Sequence, residues 1–247
     1  MCEAVYISWQ DPKDRRWSVV GRLSEKGPGY QFVYTKGALN SPNFIPFPDM
    51  KDLKGVYFDS KLFPLFSNRL LGQRRAEFRE FIDWLNLSTE ERSPLDILSR
   101  SGGGRETDSF QVFRKVDVAQ NGDFSTVFFL HGLSHVGKGT EKRVGNLQPE
   151  ESLRLALDVQ NPVDENSVTL VATPTEIIGF VPRYLSRDIA LLLREAPESV
   201  KASVVAIHNS APLHYRLLCK IEGKVPEAIA GKVFNSEEFV PIGDARQ

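Results

Sequence analysis

Three stretches of this sequence carry residue types whose spacing could support chemistry. The first, Gly132-Leu133-Ser134-His135-Val136-Gly137-Lys138-Gly139, follows a strand-like run and nearly spells G-x-x-x-x-G-K-[ST], a pattern whose backbone amides cradle phosphate. Gly139 stands where the Mg²⁺-binding hydroxyl should be. Gly145 and Pro149 interrupt the segment that should form the following helix, so no nucleotide site is expected. His131 and His135 are four apart but fall across a strand end and a glycine loop, with no third ligand at a suitable spacing, so neither metal nor cofactor is expected. The second stretch holds Asp158, Asp164 and Glu165. Two carboxylates can share acid–base work, but no partner base accompanies them, and turn residues bonding nearby amides explain them more simply. The third is Arg74, Arg75 and Arg79, read as the polar side of a helix over 74–85 whose stripe Phe78, Phe81, Ile82 and Leu85 faces a core. These arginines are either a solvated face or a contact for an acidic or phosphorylated partner.

The elements that must position these residues can be read from periodicity. Ala4–Trp9, Trp17–Leu23 and Tyr30–Tyr34 read as strands, with Asp11-Pro12-Lys13-Asp14 and Gly27-Pro28-Gly29 as the turns between them. Pro42–Pro48 cannot be helical and is expected to lie extended across the small sheet. Ser93 and Pro94 open a short helix to Arg100, and Ser109–Phe113 closes the region as a strand. The polar run Lys115–Asp123 marks a domain boundary. Beyond it, Ser125–Gly132, Leu153–Leu157, Val168–Ala172, Val200–His208 and His214–Ile221 read as strands. Tyr184–Glu195 reads as a helix burying Leu185, Ile189, Leu192 and Leu193, and the tail from Val225 as a loose extension. Between two strands lies Gln160-Asn161-Pro162-Val163-Asp164-Glu165-Asn166, a rigid polar loop expected to point oxygen acceptors outward.

Composition bounds the outcome. A chain of 247 residues, 41% hydrophobic, fits one or two domains with buried cores. Two cysteines, Cys2 and Cys219, exclude a disulfide scaffold. No apolar run approaches the ~18 residues of a membrane span, and Met1–Val5 lacks the regions of a signal peptide, so the expectation is a cytoplasmic protein. The net charge of -1 offers nucleic acid no global attraction, so binding would need a local patch.

The order and spacing of Asp158-Val159-Gln160-Asn161-Pro162-Val163-Asp164-Glu165-Asn166-Ser167-Val168, then Ile178-Gly179-Phe180-Val181-Pro182-Arg183, then a helix opening with Tyr184-Leu185, resembles the HIRAN domain over roughly residues 124–222. The resemblance implies an OB-like β-barrel with one packed helix. It also implies a grip on the 3′ end of single-stranded DNA, with an aromatic ring stacked on the terminal bases and the loop aspartate meeting the terminal hydroxyl. A carboxylate suits that task because it accepts a hydrogen bond from a hydroxyl and repels a phosphate. Carried over, Asp164 takes the hydroxyl, Asn161 and Asn166 shape the loop, and Phe129 holds the stacking position. Arg183 and Tyr184 at the helix start complete the expected DNA contacts together with Phe128. The chain departs from the family pattern in two places: Val163 stands where a loop aromatic is expected, and Phe128 where a phosphate-binding arginine is expected. Residues 124–222 hold ten Lys/Arg against eleven Asp/Glu, leaving no basic surplus for counterion release.

A second resemblance covers residues 1 to about 115. Val20-Gly21-Arg22-Leu23, Phe32-Val33-Tyr34, Phe63–Leu71, the Pro94–Leu98 helix and Gly104–Phe110 look like the N-terminal subdomain of HipA-type toxin kinases, which in that family lies near an antitoxin partner. The glycine-rich loop, catalytic Asp/Asn loop and metal-binding Asp of a kinase core have no place in the remaining sequence, so phosphoryl transfer is not carried over. The sequence therefore predicts an α+β protein of bacterial type with two domains: a small antiparallel sheet with helices (1–116), an OB-like barrel with one packed helix (124–222), and a C-terminal extension (223–247). Its expected role is non-enzymatic recognition of single-stranded DNA or a DNA 3′ end, with the first domain docking a protein partner. The alternative is a protein-binding regulatory subunit that pairs with a HipA-like kinase or antitoxin and never touches DNA.

Overall fold

The structure, a computed structural model, describes residues 2–104, 109–137, 139–172 and 176–243. Arg105–Asp108 of the HipA-like match, Lys138 of the glycine-rich loop and Thr173–Thr175 lie outside the described residues. The fold class is α+β, with two antiparallel sheets in two compact units. Unit 1 comprises Met1–Lys115 and Asn235–Gln247; unit 2 is Val116–Phe234.

In unit 1 the strands β1 (Ala4–Gln10), β2 (Trp17–Lys26), β3 (Gly29–Tyr34), β4 (Val56–Asp59) and β5 (Phe110–Phe113) form one sheet in the order β4-β3-β2-β1-β5. A four-residue strand with Tyr57 packed on the core between the exposed Val56 and Phe58 gives almost no periodic signal, so β4 was not legible in the sequence. Inward-facing Val5, Ile7, Leu23, Phe32 and Tyr34 form the core floor. The proline-rich stretch packs on that floor: the Phe47 ring lies 5.7 Å from Tyr34, whose hydroxyl donates to the Met50 carbonyl at 2.7 Å. Four short helices follow the chain: α1 (Lys36–Leu39), α2 (Pro64–Ser67), α3 (Phe78–Leu85) and α4 (Pro94–Ser101). Ser93 caps α4 in a capping box with Asp96, which supplies two of its otherwise unpaired N-terminal amides. Helix α3 buries Phe81, Ile82 and Leu85 as the stripe requires, but it starts at Phe78 rather than at Arg74. Arg74 and Arg75 lie in an exposed turn, held by the Arg75 amide on the Gly72 carbonyl; only Arg79 stands on the helix, on its exposed side.

In unit 2 the strands β6 (Asp123–Phe129), β7 (Ser152–Leu157), β8 (Val168–Ala172), β9 (Glu176–Phe180), β10 (Val200–Ile207) and β11 (Leu217–Lys224) run in the order β6-β11-β10-β7-β8-β9. β7 changes partner along its length, pairing β10 at Ser152 and Leu153 and β8 from Arg154 to Leu157, so the sheet bends there. A bridge between His131 and Phe180 then joins the two edge strands at one end. The helix α6 (Arg183–Glu195) packs on β7 and β8, burying Leu185, Ile189 and Leu192, each worth about 1.5–3 kcal/mol of apolar burial. A further helix, α5 (Thr140–Gly145), corrects the expectation that this segment is broken: the six residues end at Gly145, so neither Gly145 nor Pro149 has to sit inside it.

The expected loose tail is divided instead. Val225, Ile229, Val233 and Phe234 complete the core of unit 2, with the Phe234 ring 5.0 Å from Phe124. The chain then returns to unit 1. Pro241 bridges Thr35, the Lys36 amide donates to the Val240 carbonyl at 2.8 Å, and the Ile242 amide donates to the Tyr34 carbonyl at 2.9 Å. Phe239 stands edge-on to Tyr6 at 5.0 Å, 6.2 Å from Phe113, with the Lys115 ammonium 5.1 Å from its ring. The unpaired backbone edge past Tyr34 and the rings of Tyr6 and Phe113 are what draw this segment down. Phe239→Ala should therefore destabilise unit 1 by about 2 kcal/mol and leave unit 2 unchanged. Amide hydrogen exchange resolved to β1 and β5 against β10 and β11 is the measurement; equal loosening of both groups would contradict the assignment.

Candidate functional site

The loop Asp158–Ser167 is wired by one side chain. The Asn161 carboxamide oxygen accepts the amides of Val163 and Asp164, each at 3.0 Å, and its NH₂ group donates to Asp158 at 3.0 Å and to the Ser167 hydroxyl at 3.2 Å. The Asp158 amide donates to the Ser167 carbonyl, so the loop is pinched shut at its base. One Asp164 carboxylate oxygen accepts the Asn166 amide at 3.0 Å. These bonds turn the polar atoms inward, which corrects the expectation of outward-pointing acceptors. A tight turn has unpaired amides of its own, and the nearest oxygens go to them. Valines project instead: Val159 is 81% exposed and Val163 59% exposed.

The loop is fastened along α6. From the start of that helix Arg183 reaches the Val163 carbonyl and the second Asp164 oxygen, both at 3.5 Å, and Ser186 donates to the same oxygen at 3.3 Å. Near its end Arg194 holds the Asn166 carboxamide oxygen at 3.0 Å and the Glu165 carbonyl at 3.2 Å. Two guanidinium groups thus converge on one loop from opposite turns of one helix. The structure brings together Asn161, Asp164, Asn166 and Arg183, with the adjoining Tyr184 half-buried against the barrel core. The Asp164 side chain is 16% exposed and that of Arg183 32%, so these two charges form a partly buried, compensated pair.

Phe128 and Phe129 stand elsewhere. Phe128 is 1% exposed and points into the barrel core; Phe129 is 5% exposed and lies under the ring of Tyr215 at 5.2 Å. Neither offers a ring face to a base, which corrects both as expected DNA contacts and Phe129 as the stacking residue: β6 is an edge strand, but Phe128 faces the barrel core and Phe129 is covered by Tyr215. The residues that are presented near the barrel opening follow Gly132. Ser134 and His135 are exposed on a short 3-10 turn, and His214 is exposed beside Tyr215. The signal for them was the glycine after a strand in Gly132-Leu133-Ser134-His135, which reads more readily as a phosphate loop than as a barrel rim. Thr140, just after the glycine-rich stretch, is 2% exposed and its hydroxyl faces Glu176 at 3.5 Å. Among the described residues no three His, Cys, Asp or Glu side chains converge as a metal site would need. The Arg74, Arg75 and Arg79 cluster belongs to unit 1.

The seam that closes the barrel holds a titratable group. His131 and Phe180 exchange two backbone hydrogen bonds at 3.0 and 2.9 Å, with Gly132 at φ 73° and Gly179 at φ 156°. A Cβ on Gly179 would meet the His131 carbonyl at 2.6 Å, so no other residue fits there. Burial, with a smaller contribution from His214, pushes the His131 imidazole down to about 4. The unfolded chain binds that proton near pH 6.5, so the stabilising difference is complete above that value and is lost as pH falls toward 4. Unit 2 should lose about 2 kcal/mol between pH 7.5 and 5, read by urea unfolding, and His131→Gln should flatten the slope. Asn161→Ala should cost a further, pH-independent amount of about 2 kcal/mol, because it strands the Val163 and Asp164 amides in one step.

Comparison with known proteins adds two results. Residues 123–226 match the family model of the HIRAN domain. Among solved structures, a protein from Lactobacillus plantarum is similar at 15% identity, covering 41% of this chain and 97% of its own, with a TM-score of 0.33. The HIRAN domain of human HLTF is similar at 16% identity, covering 44% of this chain and 85% of its own, with a TM-score of 0.34. No curated protein sequence matches the chain. The matched span opens at the first residue of β6, ends two residues past β11 and contains the whole pinched loop and the helix that holds it: the part of this chain from 123 to 226 is a HIRAN domain.

Proposed function

We propose that this barrel is a nucleic-acid-binding module that receives the 3′ end of a single DNA strand beside the Asp158–Ser167 loop, and that the protein acts without catalysis. The observation that carries the reading is the Asp164 carboxylate itself, inside a matched HIRAN span: one oxygen is fixed by the Asn166 amide, while the other meets only Ser186 and a long 3.5 Å contact from Arg183. That second oxygen is a preformed acceptor for a hydroxyl. A phosphate arriving at the same place would meet a carboxylate of like charge, which it cannot donate a hydrogen bond to once ionised. Val163 and Tyr184 supply apolar surface next to it in place of the buried Phe128 and Phe129. Unit 1 would serve as the part that docks a protein partner in the bacterial cytoplasm, with Arg74, Arg75 and Arg79 as its exposed cations.

A second reading has its own support. The balanced charge of the barrel region and the burial of both phenylalanines favour a regulatory subunit that binds protein, such as a HipA-like kinase or its antitoxin, without DNA. Salt separates the two, since phosphate contacts weaken steeply with ionic strength and an apolar protein interface does not.

Fluorescence anisotropy with a short strand ending in a 3′ hydroxyl, against the same strand ending in a 3′ phosphate, is the test. The hydroxyl end should bind at least tenfold tighter at low salt. Asp164→Asn, which keeps an acceptor for the Asn166 amide, should remove about tenfold of that preference by discharging the acceptor. Equal affinity for both ends would leave only nonspecific binding, and no binding at low salt would leave the protein-binding reading.

A further inference from the structure

The strand registers of unit 1 line up one cross-strand row: Phe113 on β5, Tyr6 on β1, Arg22 on β2, Val33 on β3 and Val56 on β4. Residues opposite one another in register share a face, and this row lies on the face away from Val5, Leu23 and Phe32 of the core. The chain covers one end of the row itself. Phe239 stands on Tyr6 and Phe113, and the neighbouring Glu238 accepts the Val19 amide at 3.3 Å. The other end is open: Val56 is 46% exposed and Phe58, two residues along on the same side of β4, is 57% exposed. Between the covered and the open end stands Arg22. Its Nε is buried without a hydrogen-bond partner, and among the described residues no carboxylate or carbonyl oxygen meets its guanidinium.

A buried N–H with no acceptor is costly to keep, and a guanidinium gains most from a carboxylate, which accepts two of its donors at once. Val56 and Phe58 continue the same face with apolar surface that contact would remove from water. The half of the face that the chain covers for itself shows the matching chemistry, since Glu237 and Glu238 precede Phe239 and Val240 there. We propose that the open half docks an extended segment of a partner protein, whose carboxylate pairs with Arg22 and whose aromatic or large aliphatic side chain lies on Val56 and Phe58. The proposal rests on the reading of unit 1 as the part that docks a protein partner, and gives that docking its surface. Strands β2 and β4 are two strands apart, about 10 Å, which an extended chain covers in about three residues, so the acidic and apolar residues of the partner should be spaced accordingly.

A random-peptide library displayed on phage is selected against the full-length chain, and the enriched peptides are synthesised and measured by fluorescence anisotropy. The expected peptides carry Asp or Glu about three positions from an aromatic or large aliphatic residue. Their affinity should fall about tenfold in Arg22→Gln and in Phe58→Ser, and Arg22→Lys, which keeps the charge without the planar fork, should recover part of the loss. Thermal unfolding supplies an independent check. With no bond at Nε to lose, Arg22→Gln should hold the unfolding midpoint, whereas a fall of more than about 4 °C would show Arg22 to be bonded within the chain and overturn the proposal. Peptides that bind without regard to Arg22 and Phe58 also overturn it; if Arg74→Gln, Arg75→Gln and Arg79→Gln together release them, partner docking by unit 1 stands on a different surface. A selection that enriches no peptide overturns both this surface and the docking of a linear segment by unit 1.

Discussion

Two backbone hydrogen bonds between His131 and Phe180 hold the second unit in its shape. The six strands make a sheet with two edges, and an edge must be paired, covered or charged if it is not to attract other chains. Here the edges meet each other, through one bridge, because Gly132 and Gly179 let the backbones approach where any side chain would intrude. The chain continues from Phe180 through Val181 and Pro182 straight into α6, whose first residue is Arg183. The seam thus sets where the helix begins, and the helix sets where its arginines can reach. Loop, helix and seam follow one another along the chain, and the half-buried His131, its pKa pushed down to about 4, sits at the seam.

The electrostatics of the loop follow from the same economy. A turn of ten residues has more amides than it can pair with its own carbonyls, so Asn161 and Asp164 spend most of their acceptors inside it. What remains toward the start of α6 is the partly satisfied second oxygen of Asp164, with the exposed Glu165 side chain beyond it. This suits discrimination better than tight binding. A site with one acceptor and one compensating cation rejects a second negative charge, but it has little Coulomb attraction to draw a polyanion in from a distance.

Much of this was legible before any coordinates. Leu153/Leu155/Leu157 and Val168/Leu170/Ala172 alternate as strands must, and Leu185, Ile189 and Leu192 recur as a helix must, because burial on one face imposes its period on the sequence. The loop was legible as a loop, through Pro162 and its Asn and Asp neighbours, but the direction of its oxygens was not: that depends on which amides lack partners, a property of the folded turn. Phe128 and Phe129 show a different limit. Adjacent residues on a strand face opposite ways, and alternation would assign only one of them to the core; that both are covered, one by the barrel interior and one by Tyr215, depends on a chain segment more than eighty residues distant. The strand β4 and the six-residue α5 were too short to leave a period, and the return of residues 235–242 to unit 1 is a long-range pairing for which a sequence holds no local signal.

Synthesis from one end gives that returning segment a further meaning. The residues of unit 2 are contiguous, so all of them exist before Asn235 is added and the unit can acquire its core as it emerges. Unit 1 has its strands earliest but its closing residues last. Until Phe239 arrives, Tyr6 and Phe113 lack their cover and the backbone beyond Tyr34 lacks its partner. The first-made half of the protein is therefore the last to be finished, and a chain that stops short of residue 239 carries a complete barrel attached to an open sheet.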